Sequence, residues 1–386
     1  MKIFHLSDLH IGKQLHRYSL AEEQAKILGQ VVAYADKLRP DAIVIAGDIY
    51  DKETPSGEAV LLFDRFLTEI SRLDPQIPVL IISGNHDSPK RMKYASSLLE
   101  EQKIYIAAQP PAHPGEYLTT VTLQDEYGDV VFYLMPFVRP QTVRNLFERE
   151  RPESYDEAVR RLIGRENIDL SKRNVLISHQ FYISGSHMPE LSDSETVHVG
   201  GMDHVDIDAV EMFDYVALGH IHGPQCVRKP HIRYCGTLLK YSVSEWKQEK
   251  GITVVQLGPK GEPPGIDLIP LQPDRDVVRK KGKLSELLLE EPTEDYVSVT
   301  LTDESERYRP GDFLEQVFPN LLEVRVENSR TRKLLEEAPQ IQWERDPYLA
   351  FASFFREMQG RDLDEEEASV LRTVIAGVQE GQHEAD

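Results

Sequence analysis

The sequence predicts an α/β protein in which one large domain is joined to a small α+β unit and a pair of terminal helices. Short β-branched runs alternate with helical patterns up to about residue 265, and a Gly- and Pro-rich stretch at 258–265 then introduces a segment of different character. A length of 386 residues also exceeds what one hydrophobic core usually serves. We therefore predict two or three units.

One arrangement occurs five times in the large domain. A short apolar run ends in a small residue and is followed by a polar side chain that can bind a metal ion. The five runs are Lys2–Ser7 before Asp8 and His10, Ala42–Ala46 before Asp48, Val79–Ile82 before Asn85, His86 and Asp87, Asn174–Ile177 before His179, and Tyr215–Leu218 before His220 and His222. Loops converge at the carboxyl ends of strands in open α/β sheets, so we expect these side chains to lie together.

Helical patterns lie between these strands. One extends over 20–38, a second opens at Thr54-Pro55, and a third opens at Ser88-Pro89 directly after the Asn-His-Asp turn. The third pattern predicts a helix N-terminus near the polar cluster. Later strands of the large domain are predicted at 130–135, 232–235 and 252–257. In the small unit, strands are predicted at 266–271, 297–301 and 322–326, and helices around 284–289 and 310–318.

The overall charge limits how the chain can meet nucleic acid. A net charge of −21 argues against unaided binding, because Lys and Arg contacts to phosphate supply most non-specific affinity. Bound metal ions, a partner, or the basic stretch at 279–283 would have to help. The basic stretch alone is more often a solvated face.

Cysteine content and apolar runs indicate the compartment. Cys226 and Cys235 are too few for a disulfide framework, and we expect both to be buried thiols. No window approaches the roughly 18 apolar residues of a membrane span, and no secretion signal is visible. The sequence therefore predicts a cytoplasmic protein that does not contact a membrane.

Each polar residue of the cluster has an ordinary structural explanation when taken singly, as a turn former or a hydrogen-bonded histidine. Seven oxygen or nitrogen donors at five strand ends are harder to explain in that way. His220 and His222 also lie at i and i+2, which places both rings on one side of an extended segment. Mixed carboxylate, amide and imidazole donors disfavour an all-oxygen magnesium cage and are compatible with manganese, iron or zinc.

The ordered motifs resemble those of the calcineurin-like metallophosphoesterases. Within that superfamily the chain resembles the SbcD and Mre-type nucleases over nearly its whole length, although 110–155 matches only loosely. The motifs are Ser7–Gly12, Gly47-Asp48, Gly84–Ser88, His179, the segment Ser184–Gly201, Leu218–His222 and Tyr234–Thr237. The resemblance implies a sandwich of two β-sheets flanked by helices, with a small α+β capping domain and a C-terminal helical pair.

The resemblance also implies two manganese ions, with Mg²⁺, Fe²⁺ or Zn²⁺ less favoured. One ion would be held by Asp8, His10, Asp48 and His222, and the other by Asp48, Asn85, His179 and His220. Two divalent ions bring +4 and the two Asp carboxylates −2, which leaves the site positive for a phosphodiester anion.

Two residues are assigned to chemistry by the same resemblance. His86 would donate a proton to the leaving sugar oxygen, and we expect the neighbouring Asp87 to orient its ring. The alternative is that His86 only caps the helix that opens at Ser88.

The resemblance divides the chain into a nuclease domain at 1–265, a capping domain at 266–335 that guides DNA, and helices at 343–386. Two amphipathic helices are predicted in the last segment, one that starts at Pro347 and carries Phe351, Phe354 and Phe355, and one after Gly360 that runs through Val370, Leu371, Val374 and Ile375. They would dock on an SbcC-type coiled-coil ATPase, with the chain as a homodimer inside a heterotetramer. The alternative is that these helices fold back on their own domain.

The function expected is therefore a metal-dependent DNA nuclease. It would act as an exonuclease on double-stranded ends and an endonuclease on hairpins or single strands, with the ATPase, in DNA break repair and recombination. A stand-alone phosphodiesterase or phosphatase is the alternative, and a non-catalytic scaffold is disfavoured because every ligand is present. The chain contains no Gly-x-x-x-x-Gly-Lys-Ser/Thr loop, so ATP dependence would come from another chain.

Overall fold

Strands and helices alternate along the chain. This computed structural model describes residues 1–147, 151–185, 187–195, 204–304, 309–329, 347–364 and 367–371. The strands are β1 (Lys2–Leu6), β2 (Gln14–Leu15), β3 (Tyr18–Ser19), β4 (Ala42–Ala46), β5 (Val79–Ile82), β6 (Ile104–Ala107), β7 (Thr119–Asp125), β8 (Gly128–Met135), β9 (Arg173–His179), β10 (Phe181–Ile183), β11 (His204–Asp206), β12 (Tyr215–Gly219), β13 (Gln225–Val227), β14 (Lys229–Tyr234), β15 (Gly251–Gln256), β16 (Gly265–Pro270), β17 (Val277–Gly282), β18 (Tyr296–Leu301) and β19 (Leu321–Val326). The α-helices are α1 (Ala21–Leu38), α2 (Gly57–Ser71), α3 (Pro89–Met92), α4 (Ser96–Glu100), α5 (Pro140–Val143), α6 (Tyr155–Arg165), α7 (Leu284–Leu287), α8 (Pro310–Leu314) and α9 (Pro347–Gln359).

The chain divides into two units. The larger comprises Met1–Thr196 and Asp203–Asn328 and holds both the large α/β domain and the small layer that follows it. The smaller comprises Val197–Met202 and Ser329–Asp386 and contains α9.

The first of two six-stranded sheets has the order β16-β15-β1-β4-β5-β6. Strands β1, β4, β5 and β6 are parallel, and β15 is antiparallel to both β1 and β16. Every residue of β4 and β5 is buried, because a parallel sheet is covered on both faces. This explains why these strands are short, continuous apolar runs.

The second sheet has the order β13-β14-β12-β9-β8-β7, with β8, β9, β12 and β14 parallel. The two sheets share one core, in which Val44 and Leu80 of the first lie with Val175 and Ala217 of the second. The opposite face of the first sheet packs against α1 and α2. The predicted sandwich of two sheets flanked by helices is confirmed.

The helix starts agree with the prediction in two of three cases. Helix α1 begins one residue after Leu20, and α3 begins at Pro89 but is only four residues long. The start predicted at Thr54-Pro55 is wrong, because α2 begins at Gly57. The Ser56 hydroxyl accepts a hydrogen bond from the Ala59 N–H at 3.2 Å and so caps the helix.

The strand predicted at 266–271 belongs to the first sheet and not to the small layer. β16 pairs with β15 along its whole length, from Gly251 opposite Pro270 to Gln256 opposite Gly265. The Gly- and Pro-rich stretch before it therefore connects two strands of one sheet. The predicted domain start at residue 266 needs correction, since the main-chain hydrogen bonds of β16 hold it in the large domain.

The small layer begins at β17. Strands β17, β18 and β19 form a parallel three-stranded sheet, and α7 and α8 cover it. Its own core is built from Leu284, Leu287, Val299, Leu314 and Phe318 among others. These elements lie close to the strands and helices predicted for this segment.

The basic stretch lies on β17, where ion pairs reduce its charge. Lys280 Nζ lies 2.6 Å from Glu290, and Lys281 Nζ lies 2.6 Å from Glu327. This pairing agrees with the interpretation of the stretch as a solvated face.

The predicted terminal helices are described only in part. Helix α9 begins at Pro347 as predicted, and its Phe351 and Phe354 side chains are 45% and 57% exposed. Residues 367–371 are also helical, whereas Val374 and Ile375 and the predicted boundaries at 335 and 343 lie outside the described residues.

One of the two cysteine predictions is wrong. Cys235 is buried, but Cys226 is exposed because it lies on the edge strand β13, where alternate side chains face solvent. In the part of the chain that the structure describes, no helix combines the length and apolar character of a membrane span.

Candidate metal centre

The side chains predicted as metal ligands come together where strands of both sheets end. The first sheet contributes from the ends of β1, β4 and β5, and the second from the ends of β9 and β12. The seven residues form one connected cluster: Asp8, His10, Asp48, Asn85, His179, His220 and His222.

One half of the cluster is built around two facing imidazoles. The Nε2 atoms of His10 and His222 are 3.2 Å apart, and His10 Nε2 is 3.7 Å from Asp48 Oδ2. Asp8, His10 and His222 each offer a ligand atom within 4.8 Å of the other two. This half can hold one cation.

The other half shares Asp48 with the first. Asp48 Oδ2 is 3.4 Å from His179 Nε2, and Asn85 Oδ1 is 3.0 Å from both His179 Nε2 and His220 Nδ1. Ligand atoms of Asp8, Asp48 and His179 also lie within 4.8 Å of one another. Asp48 therefore contacts histidines of both halves, as a bridging carboxylate must.

Three glycines let the loops approach this closely. A Cβ on Gly84 would lie 2.1 Å from Asp48 Oδ1, and one on Gly47 would lie 2.4 Å from His179 Nδ1. A Cβ on Gly219 would lie 2.7 Å from the same His179 atom. Any side chain at these positions would push the ligand residues apart.

Four of the predicted ligands have left-handed backbone conformations. The φ angles are 50° at Asp8, 41° at His10, 52° at Asp48 and 101° at His220. Such conformations are uncommon in residues other than glycine and cost of order 1–3 kcal/mol each. They persist only where surrounding structure imposes them, and here they turn the side chains into the cluster.

Burial and mutual contact determine the protonation of the cluster. Burial raises the pKa of Asp48, but the adjacent His179 and His10 outweigh it and hold that pKa well below its usual range. Burial lowers the pKa of His179, yet Asp48 outweighs this effect and raises it to about 9. Burial and His179 lower the pKa of His220 to about 3. A positive charge is therefore favoured next to Asp48, and the neutral His220 is a competent ligand.

The donor set suits divalent cations. Two carboxylates, one amide oxygen and four imidazoles converge without a Lys or Arg among the seven residues, and Asp8 and Asp48 are both buried. Paired acidic groups of this kind are stable when a metal ion supplies the compensating charge. The residues present therefore fit the metal ions that the sequence implies.

His86 lies at the rim of the cluster, and its ring is oriented by the main chain. The ring Nδ1 of His86 is 3.0 Å from the Asp51 carbonyl oxygen, and the backbone N–H of His86 donates to Asp48 Oδ1 at 2.9 Å. Its ring centroid lies 5.0 Å from that of His10. Ser88, not His86, occupies the N-cap position of α3.

The role predicted for Asp87 needs correction. Its carboxylate accepts hydrogen bonds from the N–H groups of Gly84 at 2.9 Å, Tyr50 at 3.0 Å and Ile49 at 3.1 Å. Both oxygens are thus directed at main chain, and the Asp51 carbonyl orients the His86 ring instead. Asp87 joins the loop after β4 to the loop after β5, which places Asp48 beside Asn85.

Four residues that were not predicted from the sequence hold His222 in place. Glu195 Oε1 accepts from the His222 N–H at 2.6 Å, and Lys250 Nζ donates to the His222 carbonyl at 2.8 Å. Ser194 Oγ lies 2.7 Å from His222 Nδ1, and Glu245 Oε1 lies 3.8 Å from the same nitrogen. Ser194 and Lys250 each lie 28 positions from His222 along the chain, so no local pattern connects them with it. The available sequence signal for a contact with the site is the polar character of the segment Ser192–Glu195.

Comparison with known proteins places this site in a family. Residues 1–224 match the calcineurin-like phosphoesterases, and residues 273–359 match the SbcD_C family, described as the type 5 capsule protein repressor C-terminal domain. The chain is 31% identical to the SbcD subunit of the SbcCD nuclease of Staphylococcus epidermidis, over 97% of this chain and 98% of that protein. It belongs to the SbcD nuclease family.

A second SbcD relative agrees. The SbcD protein of Staphylococcus saprophyticus subsp. saprophyticus, also from an SbcCD nuclease, is 33% identical over 83% of this chain and 84% of that protein. The predicted family is confirmed, and with it the prediction of a metal-dependent nuclease that hydrolyses phosphodiesters. All seven predicted ligands lie within the segment that matches the phosphoesterase family.

One solved structure is similar to this chain at a lower level. GAP50, the anchor in the inner membrane complex of Plasmodium, is 13% identical, and the match covers 70% of this chain and 89% of GAP50 with a TM-score of 0.41. At that TM-score the likeness supports no conclusion about fold or function.

Proposed function

We propose that this chain is the DNA-cutting component of a complex with an SbcC-type coiled-coil ATPase, and that two manganese ions serve its active site. The observation that carries the proposal is the convergence of seven ligand residues from five strand ends of two sheets. Family membership supports the nuclease reaction and an SbcC partner.

The proposed ligand sets follow the two halves of the cluster. One ion is bound by Asp8, His10 and His222. The other ion is bound by Asn85, His179 and His220, and Asp48 binds both ions. When bound, two such ions activate water and neutralise charge on a phosphodiester. The four imidazoles favour manganese over magnesium, which prefers oxygen ligands.

His86 is the proposed general acid. A carbonyl oxygen can only accept a hydrogen bond, so the 3.0 Å contact to Asp51 requires a proton on His86 Nδ1. When Nε2 is protonated as well, in the imidazolium form of His86, Nε2 is the atom that can give a proton to the leaving oxygen, and Nδ1–H stays bonded to the Asp51 carbonyl. Asp87 is proposed to act through the loops that it joins rather than on the ring.

We propose that the small layer guides DNA, with the large domain ending after β16 and the capping domain starting near β17. Side chains of the large domain contact this layer: the Tyr18 hydroxyl donates to the Leu321 carbonyl at 3.3 Å, and Arg17 is 2.7 Å from Glu315. Lys280 and Lys281 of its basic stretch are ion-paired, so most of the positive charge for DNA is proposed to come from the metal ions and the partner.

Helix α9 is the proposed ATPase anchor. Phe351, Phe354 and Met358 lie at i, i+3 and i+7, and are 45%, 57% and 65% exposed. An exposed aromatic stripe at helical spacing is suited to a groove or coiled-coil partner. The second terminal helix belongs to the same proposal.

A homodimer within a heterotetramer completes the proposed assembly. Leu61, Tyr94 and Leu98, on or near α2 and α4, are 65%, 85% and 68% exposed, which gives the large domain an apolar surface for a second copy. A cytoplasmic location and a role in DNA break repair and recombination remain predictions that accompany this assembly.

The alternative is a stand-alone phosphodiesterase that uses the same metal site. An activity assay distinguishes the two functions. The purified chain is given manganese and either linear DNA, hairpin DNA or a small aryl phosphodiester, with and without the ATPase and ATP. Manganese-dependent DNA cleavage that increases with the ATPase supports the proposal. Hydrolysis of the aryl diester without cleavage of DNA in either assembly would support the alternative.

A further inference from the structure

His222 is held by a chain of buried polar groups that leads away from the metal centre. Ser194 Oγ lies 2.7 Å from His222 Nδ1 and donates to Glu245 Oε1 at 2.5 Å. Glu245 is fully buried, and its other oxygen lies 2.6 Å from the Lys250 ammonium. The order is therefore imidazole, hydroxyl, carboxylate and ammonium.

The direction of these hydrogen bonds follows from the end of the chain. Glu245 is charged because it pairs with Lys250, so it accepts the Ser194 hydroxyl proton. A hydroxyl has one proton, so once Ser194 donates to Glu245 its oxygen can only accept from His222 Nδ1–H. The contacts thus select the tautomer of His222 that carries its proton on Nδ1.

That tautomer leaves the lone pair of Nε2 facing the metal centre, where His10 Nε2 lies 3.2 Å away. The other tautomer would direct an N–H at the place of a cation and would have to be displaced before binding. Two further hydrogen bonds fix the backbone of His222. Glu195 accepts from its N–H, and Lys250 donates to its carbonyl.

We propose that Ser194 and Glu245 are positioning residues that fix His222 in the Nδ1–H tautomer and so set the affinity of the metal site that contains it. This inference rests on the proposed two-metal site, which it deepens. Groups that orient a metal-bound histidine in this way typically contribute about 10–100-fold to metal affinity or activity.

Ser194 is the residue to change, because Glu245→Gln would leave Lys250 unpaired in the interior and endanger folding. Ser194→Ala removes only the hydroxyl. Ser194→Thr restores it, and Ser244→Ala is the matched control. The Ser244 hydroxyl accepts from the Asp193 N–H at 2.9 Å, so it anchors the same loop without contacting His222.

The test combines titration of the metal-free full chain with manganese and ¹⁵N NMR of the histidine rings. In Ser194→Ala, one of two manganese affinities should fall about 10–100-fold while the other is unchanged. The His222 ring should shift from the Nδ1–H form to a mixture of tautomers. Ser194→Thr and Ser244→Ala should both resemble the wild type.

Two results would overturn the inference. One is a Ser194→Ala chain with both wild-type affinities and an unchanged His222 tautomer. The other is an equal loss in Ser244→Ala, which would mean that loop packing, not the hydroxyl, supports the site. A wild-type chain that binds no manganese would contradict the proposed function instead. The tautomer measurement in the metal-free chain would then still show whether Ser194 and Glu245 fix the tautomer of His222.

Discussion

His10 Nε2 and His222 Nε2 lie 3.2 Å apart although the two residues are separated by 212 positions in the sequence. They come from the ends of β1 and β12, which belong to different sheets. Burial lowers the pKa of His10 well below its usual range, so His10 is favoured as a neutral imidazole, the form that binds metal ions. The separation of the two Nε2 atoms lets both nitrogens reach one metal ion when neither carries a proton there.

Replacing Asp48 should empty both metal positions. Asp48→Asn keeps the shape of the side chain but removes its negative charge, which lies next to His10 and His179. That charge is half of the negative charge of the cluster. Elemental analysis after reconstitution with manganese should give close to two ions per wild-type chain and close to none in the variant. Asp36→Asn, at an exposed ion pair with Arg39, should keep both ions. Two ions per Asp48→Asn chain would show that Asp48 does not bridge.

Replacing His86 should separate chemistry from metal binding. His86→Ala should keep both ions and bind DNA almost normally, but lose about 10²- to 10⁴-fold in turnover, the usual contribution of a positioned general acid. A nitrophenyl phosphodiester has a leaving group that needs little protonation, so its hydrolysis should fall much less. Steady-state kinetics with the two substrates measures this difference.

Equal losses on both substrates, with both metals retained, would mean that His86 stabilises the phosphoryl group rather than the leaving oxygen. Loss of a metal ion would mean that His86 is a ligand. Asp51 contributes only its carbonyl to the His86 ring, so a side-chain replacement there is a poor substitute for this test.

The Arg173–Asp125 pair should stabilise the second sheet in a pH-dependent way. Arg173 is 2% and Asp125 13% exposed, and hydrogen bonds from Arg173 hold the pKa of Asp125 well below its usual range. The stabilisation is present above the unfolded pKa of about 3.9 and is lost as the pH falls toward the folded value. Asp125→Ala should cost about 2–3 kcal/mol of unfolding free energy at pH 7, less than for a fully buried pair because Asp125 is partly exposed.

Urea denaturation at pH 7, 5 and 3 checks this prediction. The difference between wild type and Asp125→Ala should be the same at pH 7 and 5 and smaller at pH 3. Asp129→Ala breaks the more exposed pair with Lys172 nearby and should have little effect at any of these pH values. A difference that grows toward pH 3 would contradict the assignment.

The aromatic face of α9 should be needed for the ATPase and not for chemistry. Phe351→Glu with Phe354→Glu places charges on that face and should abolish co-purification with the ATPase, while manganese-dependent hydrolysis of a small diester stays unchanged. Deleting all residues after Gln342 should have the same result. Leu289→Glu also places a charge at an exposed apolar residue, but outside the terminal helices, and serves as a control. Loss of folding in the deletion would indicate that the terminal helices complete the core.

The ligand residues could be predicted from sequence because each follows a local strand signal. The run Ala42–Ala46 is fully buried, and such runs are visible without knowledge of their neighbours. Which sheet a strand joins is not a local property. The strand at 265–270 is recognisable from its own residues, but its partner β15 is not, so the sequence places the domain boundary before it.

The contacts that support the ligands were beyond prediction for the same reason. Asp87 follows His86 directly, which suggested that it acts on that ring, yet its hydrogen bonds reach main chain 37 and 38 positions away. Ser194 reaches Glu245 over 51 positions. Periodicity reports the face of an element on which a side chain lies, whereas these pairings depend on how distant loops pack.

Anomalous scattering from bound manganese would locate both ions and show whether Asp48 lies between them. Crystals of the full chain grown with manganese should show two anomalous peaks, one beside Asp8, His10 and His222 and one beside Asn85, His179 and His220, with Asp48 between them. The peaks should lie about 3.5–4 Å apart, the usual spacing of paired catalytic ions. A single peak, or two peaks that Asp48 does not contact, would rule out a two-metal site bridged by Asp48.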